Sequence, residues 1–475
     1  MNEASRPEVF INHAPGETRL AVTATGRLVD LVIARDTETN LLGNIYLGRV
    51  QKVIAGLNAA FVEIGQADAG FLAGNDGQIF NPDTEKPKPI KALYKEGDLV
   101  VVQVTREPSP GKGAKLTTRL DLAGSNLVLT AFRPGVSISR SITDAGARDH
   151  LQAALAENES GEHGLIVRTK AQGVSEERLR QEADALFDQI AAIEALQKTQ
   201  KTPGCLHEVA GPILRYLMGA ERASLQRIVV DNRVLLKKLA DTVPELEDLF
   251  ELAEDLVALF ETYDLDHQVD ALFQAQAALP SGGSLIIEET AALVAIDVDS
   301  GAHQRDSDPE AFAVAVNQEA ASEIARQVAL RNLSGQIVID FLPMKRKGSR
   351  EKIQETLSAA LSGSGKCNIF GFSRLGLLEM TRQRNGESLT ARFLSKSAAA
   401  KTAPSIAIEM IRAVLRELDR NPGKMLTVEC GPIIYAVLAD EMPGNWQDLL
   451  ERTGPIVVLE QTQTLSGTQF DIRVN

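Results

Sequence analysis

Cysteine is scarce in this chain: it occurs three times in 475 residues, at Cys205, Cys367 and Cys430, far apart and odd in number. That argues against a disulfide framework and against any zinc site of Cys-x-x-Cys spacing. Aromatic residues are also few, at 4% of the chain, so an aromatic side chain on the polar face of a strand stands out. No apolar run is long enough to span a bilayer, and the polar stretch from Met1 to Val9 resembles no signal peptide. The expected home is the cytoplasm. Net positive charge is missing too, the formal total being −14. That total is only a weak argument against nucleic acid, because local basic patches set phosphate binding. Two such patches exist. Lys345, Arg346 and Lys347 stand with Arg350 and Lys352 in one, and Lys112, Lys115 and Arg119 follow a Gly-rich turn in the other. Taken alone, either run reads most simply as a solvated charged face.

Two apolar runs, Ala291 to Asp297 and Gln336 to Asp340, each end in aspartate. Both read as buried strands, since small and β-branched residues cluster without helical spacing. Between them, Glu310 to Leu333 has helix-forming composition. The segment predicts a strand-helix-strand unit that brings Asp297 and Asp340 together at one sheet edge, where open α/β folds keep their chemistry. Two hard carboxylates suit a divalent magnesium ion.

The length is too great for one core and predicts an α/β multidomain protein. Arg19 to Thr25 and Arg27 to Ala34 read as a small strand pair. From Asn44 on, five short strands punctuated by glycine fit an OB-like barrel: Ile45 to Ile54, Ala59 to Ile64, Ala69 to Ala73, Leu99 to Thr105 and Ala114 to Leu120. A Pro- and Lys-rich loop, Asn81 to Ile90, interrupts them. A helix near Asp144 to Ala156, a strand from Gly164 to Arg168 and a helix from Ser175 to Lys198, with Ser175 as its cap, come next. Residues 222–280 alternate strand and helix. Ser395 to Pro404 is an Ala-, Lys- and Ser-rich linker, followed by a small α/β tail with a helix from Ile406 to Leu418.

In the barrel, Phe61 shares a strand face with Glu63 while Ala60, Val62 and Ile64 line the other. Phe61 is therefore expected at the surface, where aromatics on an OB barrel stack with bases. Phe71 either joins it or packs in the core. Lys112 would neutralise a nearby phosphate.

These residues lie within a longer series of motifs. Asn44-Ile45-Tyr46-Leu47-Gly48-Arg49, Ala59-Ala60-Phe61-Val62, Gly70-Phe71-Leu72 and Lys112-Gly113-Ala114 come first. Leu122-Ala123-Gly124-Ser125, Val167-Arg168-Thr169, Ala295-Ile296-Asp297, Ile337 to Phe341 and Gly376 to Arg384 follow. In this order they resemble the bacterial ribonuclease E/G family. The resemblance implies an endoribonuclease that cuts single-stranded AU-rich RNA with magnesium, prefers a 5′-monophosphate end, and serves rRNA processing and mRNA decay. It implies that Asp297 and Asp340 hold the metal and that Phe61, Phe71 and Lys112 grip the RNA. It further implies that Gly124, Val128, Arg168 and Thr169 read the 5′ phosphate. An arginine fork and a hydroxyl suit that task, although Arg168-Thr169 by itself reads as an ordinary strand end.

The family architecture implies a ribonuclease-H-like subdomain split between 1–35 and 210–278, with the OB-fold RNA-binding domain at 36–125 inserted. It also implies a 5′-sensor region at 126–209, a deoxyribonuclease-I-like catalytic subdomain at 279–394, a linker at 395–404 and a small C-terminal domain at 405–475. Three positions depart from the family pattern. Asp299 replaces the usual asparagine and would be a further metal ligand, and Pro343 stands where an acid is common. Asn385 to Pro404 lacks the paired cysteines through which subunits share zinc. Zinc is therefore not expected, and any homo-oligomer would form without it. With no long tail after the small domain, the chain resembles the short, G-type branch. The competing reading is a noncatalytic RNA-binding protein that kept the fold.

Overall fold

A computed structural model describes residues 6–38, 40–78, 86–108, 112–156, 163–253, 258–301, 308–384, 386–395 and 400–475. Residues 81–85 of the Pro- and Lys-rich loop and 396–399 of the linker lie outside the described residues. The chain divides into two units, one of residues 39–221 and one of residues 1–38 with 222–475.

Within 39–221, the strands Ile45–Ile54, Ala59–Glu63, Gly70–Ala73, Lys115–Thr117 and Leu99–Arg106 pair in that order, and the last returns to pair with the first. The five-stranded barrel is thus closed, which leaves none of these strands as a bare edge. Strand alternation decides its inside: Ala60, Val62, Ile64, Leu72, Val102, Val104 and Leu116 are buried together. Gly204–His207 adds to the outside of the first strand. A second sheet holds Gly135–Ile138, Gly164–Val167, Leu127–Thr130 and Asp121–Ala123 in that order. The helix Glu176–Thr199 covers it with Leu179, Ala183, Leu186, Ile190 and Ile193. Their alternating spacing of four and three keeps them on one helical stripe. Ser175 holds the N-cap position but makes no side-chain cap bond, so its expected capping role is corrected. Asp144 does cap the helix Ala145–Ala154, accepting from the Ala147 N–H.

The family resemblance implies that residues 210–221 go with the segment reaching to 278, whereas their contacts group them with 39–221. The reason is local: the Val209 N–H donates to Asn44, and Arg215 beyond it donates to the Leu42 carbonyl. Both acceptors border the first barrel strand.

In the other unit, the amino-terminal segment forms three strands rather than a pair. Glu8–Ala14 lies in the middle of a sheet ordered Phe250–Leu252, Ile228–Val230, Glu8–Ala14, Glu17–Ala24, Arg27–Arg35. The first two run parallel to Glu8–Ala14, and the last two join it in antiparallel hairpins. Glu8–Ala14 escapes detection because Val9 to Ile11 and Asn12 are buried in succession. A central strand covered on both faces has no polar alternation to read.

A six-stranded sheet follows, ordered Gln276–Ala278, Ser284–Glu289, Val294–Asp299, Gly335–Asp340, Leu378–Arg382, Cys367–Phe372. Its one parallel pair, Val294–Asp299 with Gly335–Asp340, is joined by the helix Pro309–Leu330. The helix buries a stripe of mostly small residues, including Ala313, Val316, Ala320, Ala321, Ile324 and Val328, which allows close approach to the sheet. Each fully buried Ile or Val contributes about 1.5–3 kcal/mol relative to exposure. In the small C-terminal sheet, Leu426–Cys430 lies between Val457–Gln461 and Phe470–Val474, packed by the helix Ala403–Arg420.

Candidate active site and RNA interface

Alternation along the parallel strand pair decides where the acids go. Val294, Ile296, Val298, Ile337 and Ile339 turn into the core with the helix Pro309–Leu330. Asp297, Asp299 and Asp340 therefore stand on the opposite face, and all three are exposed. Asp297 and Asp340 are direct partners in the parallel register, which sets their Cα atoms about 4.8 Å apart with side chains on one face. Asp299 is two positions further along that face, and its carboxylate accepts the Gly301 N–H at 3.0 Å. Among the described residues, no group of three or more acids, histidines or cysteines is arranged to hold a metal. What the strands assemble is a pair of carboxylates with a third nearby.

The segment after Asp340 is clamped from the helix Pro309–Leu330. Asn317, fully buried, donates through its amide to the Leu342 carbonyl at 2.9 Å and accepts the Leu342 N–H at 3.0 Å. Glu310, in the helix's first turn, accepts the backbone N–H groups of Lys345 at 2.9 Å and Arg346 at 3.0 Å. The Lys345 N–H, the Ser349 hydroxyl and the Arg346 N–H together hold the Glu310 carboxyl down at about 2. Exposed Lys345 and Arg346 are thereby fixed close in sequence to Asp340. Neither Glu310 nor Asn317 is singled out by the sequence; the one available signal is an asparagine on an otherwise Ala- and Val-rich helical face.

The positions expected to grip RNA also come together. Phe61 and Phe71 are paired across adjacent barrel strands, half-buried, with ring centroids 5.9 Å apart at 71°. Phe71 is on the outer face with Phe61, so core packing is not its place. Lys112 is exposed at the start of the turn into Lys115–Thr117. Gly113 is required beside it, because a Cβ there would lie 1.9 Å from the Ala69 carbonyl oxygen. That close approach brings Ala114 to accept the Phe71 N–H at 2.7 Å.

Gly124, Val128, Arg168 and Thr169 cluster at one end of the second sheet. The Gly124 N–H closes a turn on the Leu127 carbonyl at 2.9 Å, and the Arg168 N–H reaches the Asn126 carbonyl at 2.8 Å. Glu182, from the covering helix, pins the turn by accepting from the Asn126 N–H, the Asn126 side chain and the Leu127 N–H. A Cβ at Gly124 would meet that carboxylate at 2.3 Å, so any larger residue there would push Glu182 off the turn it pins. Thr169 shares a hydrogen bond of 3.0 Å with Ser139. The half-buried Arg168 side chain has no hydrogen bond or ion pair among the described residues. Glu182, Asn126 and Ser139 are missed by sequence reasoning, since their bonds join segments 30 to 56 positions apart.

A cavity of about 250 Å³ beside Asn12, Arg19, Asp231 and Arg412 competes for attention. The charges in its wall are already partnered: Arg412 pairs with Glu17, Arg19 with Asp266, and Asp231 accepts from the Asn12 amide and the His13 N–H. Burial, with Arg452 and Arg412 alongside, pushes His13 in its wall down to about 4. This reads as an ion-paired seam.

The carboxyl-terminal motif from Gly376 to Arg384 is largely structural. Leu378 and Met380 are buried, and Arg382 ties the carbonyls of Ser364 and Leu333 to its own strand. Cys205 is exposed, Cys367 partly exposed and Cys430 buried, each in a different sheet.

Comparison with known proteins bears on the whole chain. The profile of the Ribonuclease E/G family matches residues 121–385. Ribonuclease G of Salmonella typhimurium (strain SL1344) is 32% identical over 98% of this chain and 99% of its own length. Ribonuclease G of Escherichia coli (strain K12) is 31% identical over the same shares. Ribonuclease E of Escherichia coli (strain K12) is 36% identical over 78% of this chain and 36% of that longer protein. With a family match across more than half its length and relatives aligned end to end, the chain belongs to the ribonuclease E/G family.

Proposed function

We propose that this endoribonuclease of the E/G type cuts single-stranded, AU-rich RNA at a magnesium site formed by Asp297 and Asp340, and favours substrates with a 5′ monophosphate. The observation that carries the reading is the direct pairing of Asp297 with Asp340 on the open face of a sheet whose other face is packed with helices. Two adjacent carboxylates without a third protein ligand fit magnesium, which keeps several waters and is commonly held by one or two acids plus substrate phosphates. Such an ion would lower the pKa of attacking water and offset charge on the scissile phosphate.

The protein's own groups do the rest. Asp299, two positions along the face, keeps the oxygen ligand that an asparagine amide would offer there and adds a negative charge. Glu310 and Asn317 fix the segment carrying Lys345 and Arg346, whose cations would face the substrate backbone. Phe61 and Phe71 offer two adjacent ring surfaces for bases, and base stacking on such platforms is tolerant of sequence. Lys112 would meet a phosphate beside them. Arg168 offers an uncommitted guanidinium next to the hydroxyls of Thr169 and Ser139, a donor set for a terminal phosphate. The strand order Phe250–Leu252, Ile228–Val230, Glu8–Ala14, Glu17–Ala24, Arg27–Arg35 supports the ribonuclease-H-like assignment of that subdomain. A deoxyribonuclease-I-like assignment for 279–394 rests on the family resemblance.

The noncatalytic alternative rests on Asp299, Pro343 and the missing paired cysteines, none of which removes Asp297 or Asp340, and both of those acids are exposed. A 5′-labelled AU-rich single strand, incubated with and without magnesium, tests the reading. Discrete internal cuts that appear only with the metal are expected; intact RNA under both conditions would refute it.

A further inference from the structure

The barrel pairs four residues in one continuous line across its strands. Lys52 lies opposite Phe61, Phe61 opposite Phe71, and Phe71 opposite Lys115. Directly paired residues share a face, so cation, ring, ring and cation follow each other over three strand spacings, about 14 Å. The two rings touch edge to face at 5.9 Å, and Phe61, Phe71 and Lys115 are half-buried while Lys52 is exposed. The two cations differ in one respect. Lys115 is 2.9 Å from Asp76, which also holds Arg119 at 3.1 Å. Lys52 has no hydrogen bond or ion pair among the described residues.

We propose that single-stranded RNA crosses this barrel perpendicular to its strands, with Lys52 binding the phosphate that precedes or follows the two bases stacked on Phe61 and Phe71. Lys115 binds the phosphate at the opposite end. The inference rests on the reading that Phe61 and Phe71 stack with RNA, and it adds the path and its two terminal contacts. The physical reason is the order of the groups. Stacking two successive bases on adjacent rings sends the flanking backbone outward in both directions along the line of rings, and that line ends in a lysine on each side. Lys52 is free to engage at once. Lys115 exchanges Asp76 for a phosphate, and Asp76 keeps Arg119 as its partner, so the exchange strands no carboxylate.

The test is binding of a short, 3′-labelled oligouridine with a 5′-hydroxyl end, in chelator and at several salt concentrations, to the full chain. Each phosphate neutralised on a single strand contributes about −0.7 to the slope of log affinity against log salt. Lys52→Gln should therefore make the slope shallower by about 0.7 and weaken binding about fivefold at 0.1 M salt, the tenfold step below 1 M raised to that power. The double change Lys52→Gln with Lys115→Gln should remove about 1.4 from the slope. Phe61→Ala should weaken binding by roughly fivefold or more with the slope unchanged, since a ring releases no counterions. Lys198→Gln, an exposed lysine on the helix Glu176–Thr199, should change neither quantity. If Lys52→Gln behaves like Lys198→Gln while Phe61→Ala still weakens binding, the crossing path is wrong and the stacking stands. If Phe61→Ala binds as the unaltered protein does, the stacking itself is overturned, and this inference with it.

Discussion

Arg168→Ala should make the enzyme largely indifferent to the 5′ end of its substrate. The Arg168 backbone is fixed by its N–H on the Asn126 carbonyl at 2.8 Å, while its side chain spends no bond on the protein among the described residues. The guanidinium is therefore available, and the hydroxyl of the adjacent Thr169 lies 3.0 Å from that of Ser139, which the fold brings in from 30 positions away. A hydrogen bond to a charged group contributes about 1.5–3 kcal/mol. At tenfold per 1.4 kcal/mol this is roughly ten- to 150-fold in kcat/KM. The assay compares two oligonucleotides that differ only in a 5′ phosphate or a 5′ hydroxyl. Cleavage of the phosphorylated one should fall by that factor, and cleavage of the other should stay nearly constant. Arg168→Lys should lie between, because an ammonium keeps the charge but not the fork. Thermal stability should hold within about 0.5 kcal/mol, as for surface changes that break no native bond. Equal slowing of both substrates, or a marked loss of stability, would refute the reasoning.

Other outcomes follow from the same geometry. Asn317→Ala removes both side-chain bonds to Leu342 from a fully buried position, which should cost about 2–4 kcal/mol in denaturant unfolding and lower kcat more than it raises KM. His13 titrates at about 4 in the fold against an ordinary 6.5, so the unfolded chain binds the extra proton first as pH falls. Stability should therefore decline between about pH 6.5 and 4, and His13→Gln should flatten that part of the profile in pH-dependent melts. Metal analysis should find no stoichiometric zinc, and sizing with light scattering should show an oligomeric state unchanged by a strong zinc chelator, because the cysteines lie in three separate sheets.

What the sequence shows best is local and periodic. The barrel strands could be read because each is a short β-favouring run set off by glycine, and in Ala59–Glu63 the face that Phe61 shares with Glu63 points to the surface. The aspartate pair could be read because each run is short, apolar and closed by its acid. Glu8–Ala14 could not, because burial on both faces erases the period. Closure of the barrel by pairing of Leu99–Arg106 with Ile45–Ile54 is a long-range event that no spacing announces. The same holds for the groups that fix the sites. Glu182 reaches back 56 positions to Asn126, Asn317 forward 25 to Leu342, and Glu310 forward 35 to Lys345. Each is a side chain satisfying backbone groups left open by a turn, and only the folded chain shows which turn that is.

The central claim is that Asp297 and Asp340 carry the chemistry while the barrel carries the grip. Its most direct test measures RNA binding and magnesium-dependent cleavage side by side for Asp297→Asn and Asp340→Asn. Both acids are exposed, so each variant should fold and bind a single strand within about twofold of the unaltered protein, since the change lies outside the barrel. Each should lose cleavage by about a hundredfold or more, because an amide is a poor ligand for a hard cation. Cleavage at the unaltered rate by either variant, with magnesium present, would contradict the account.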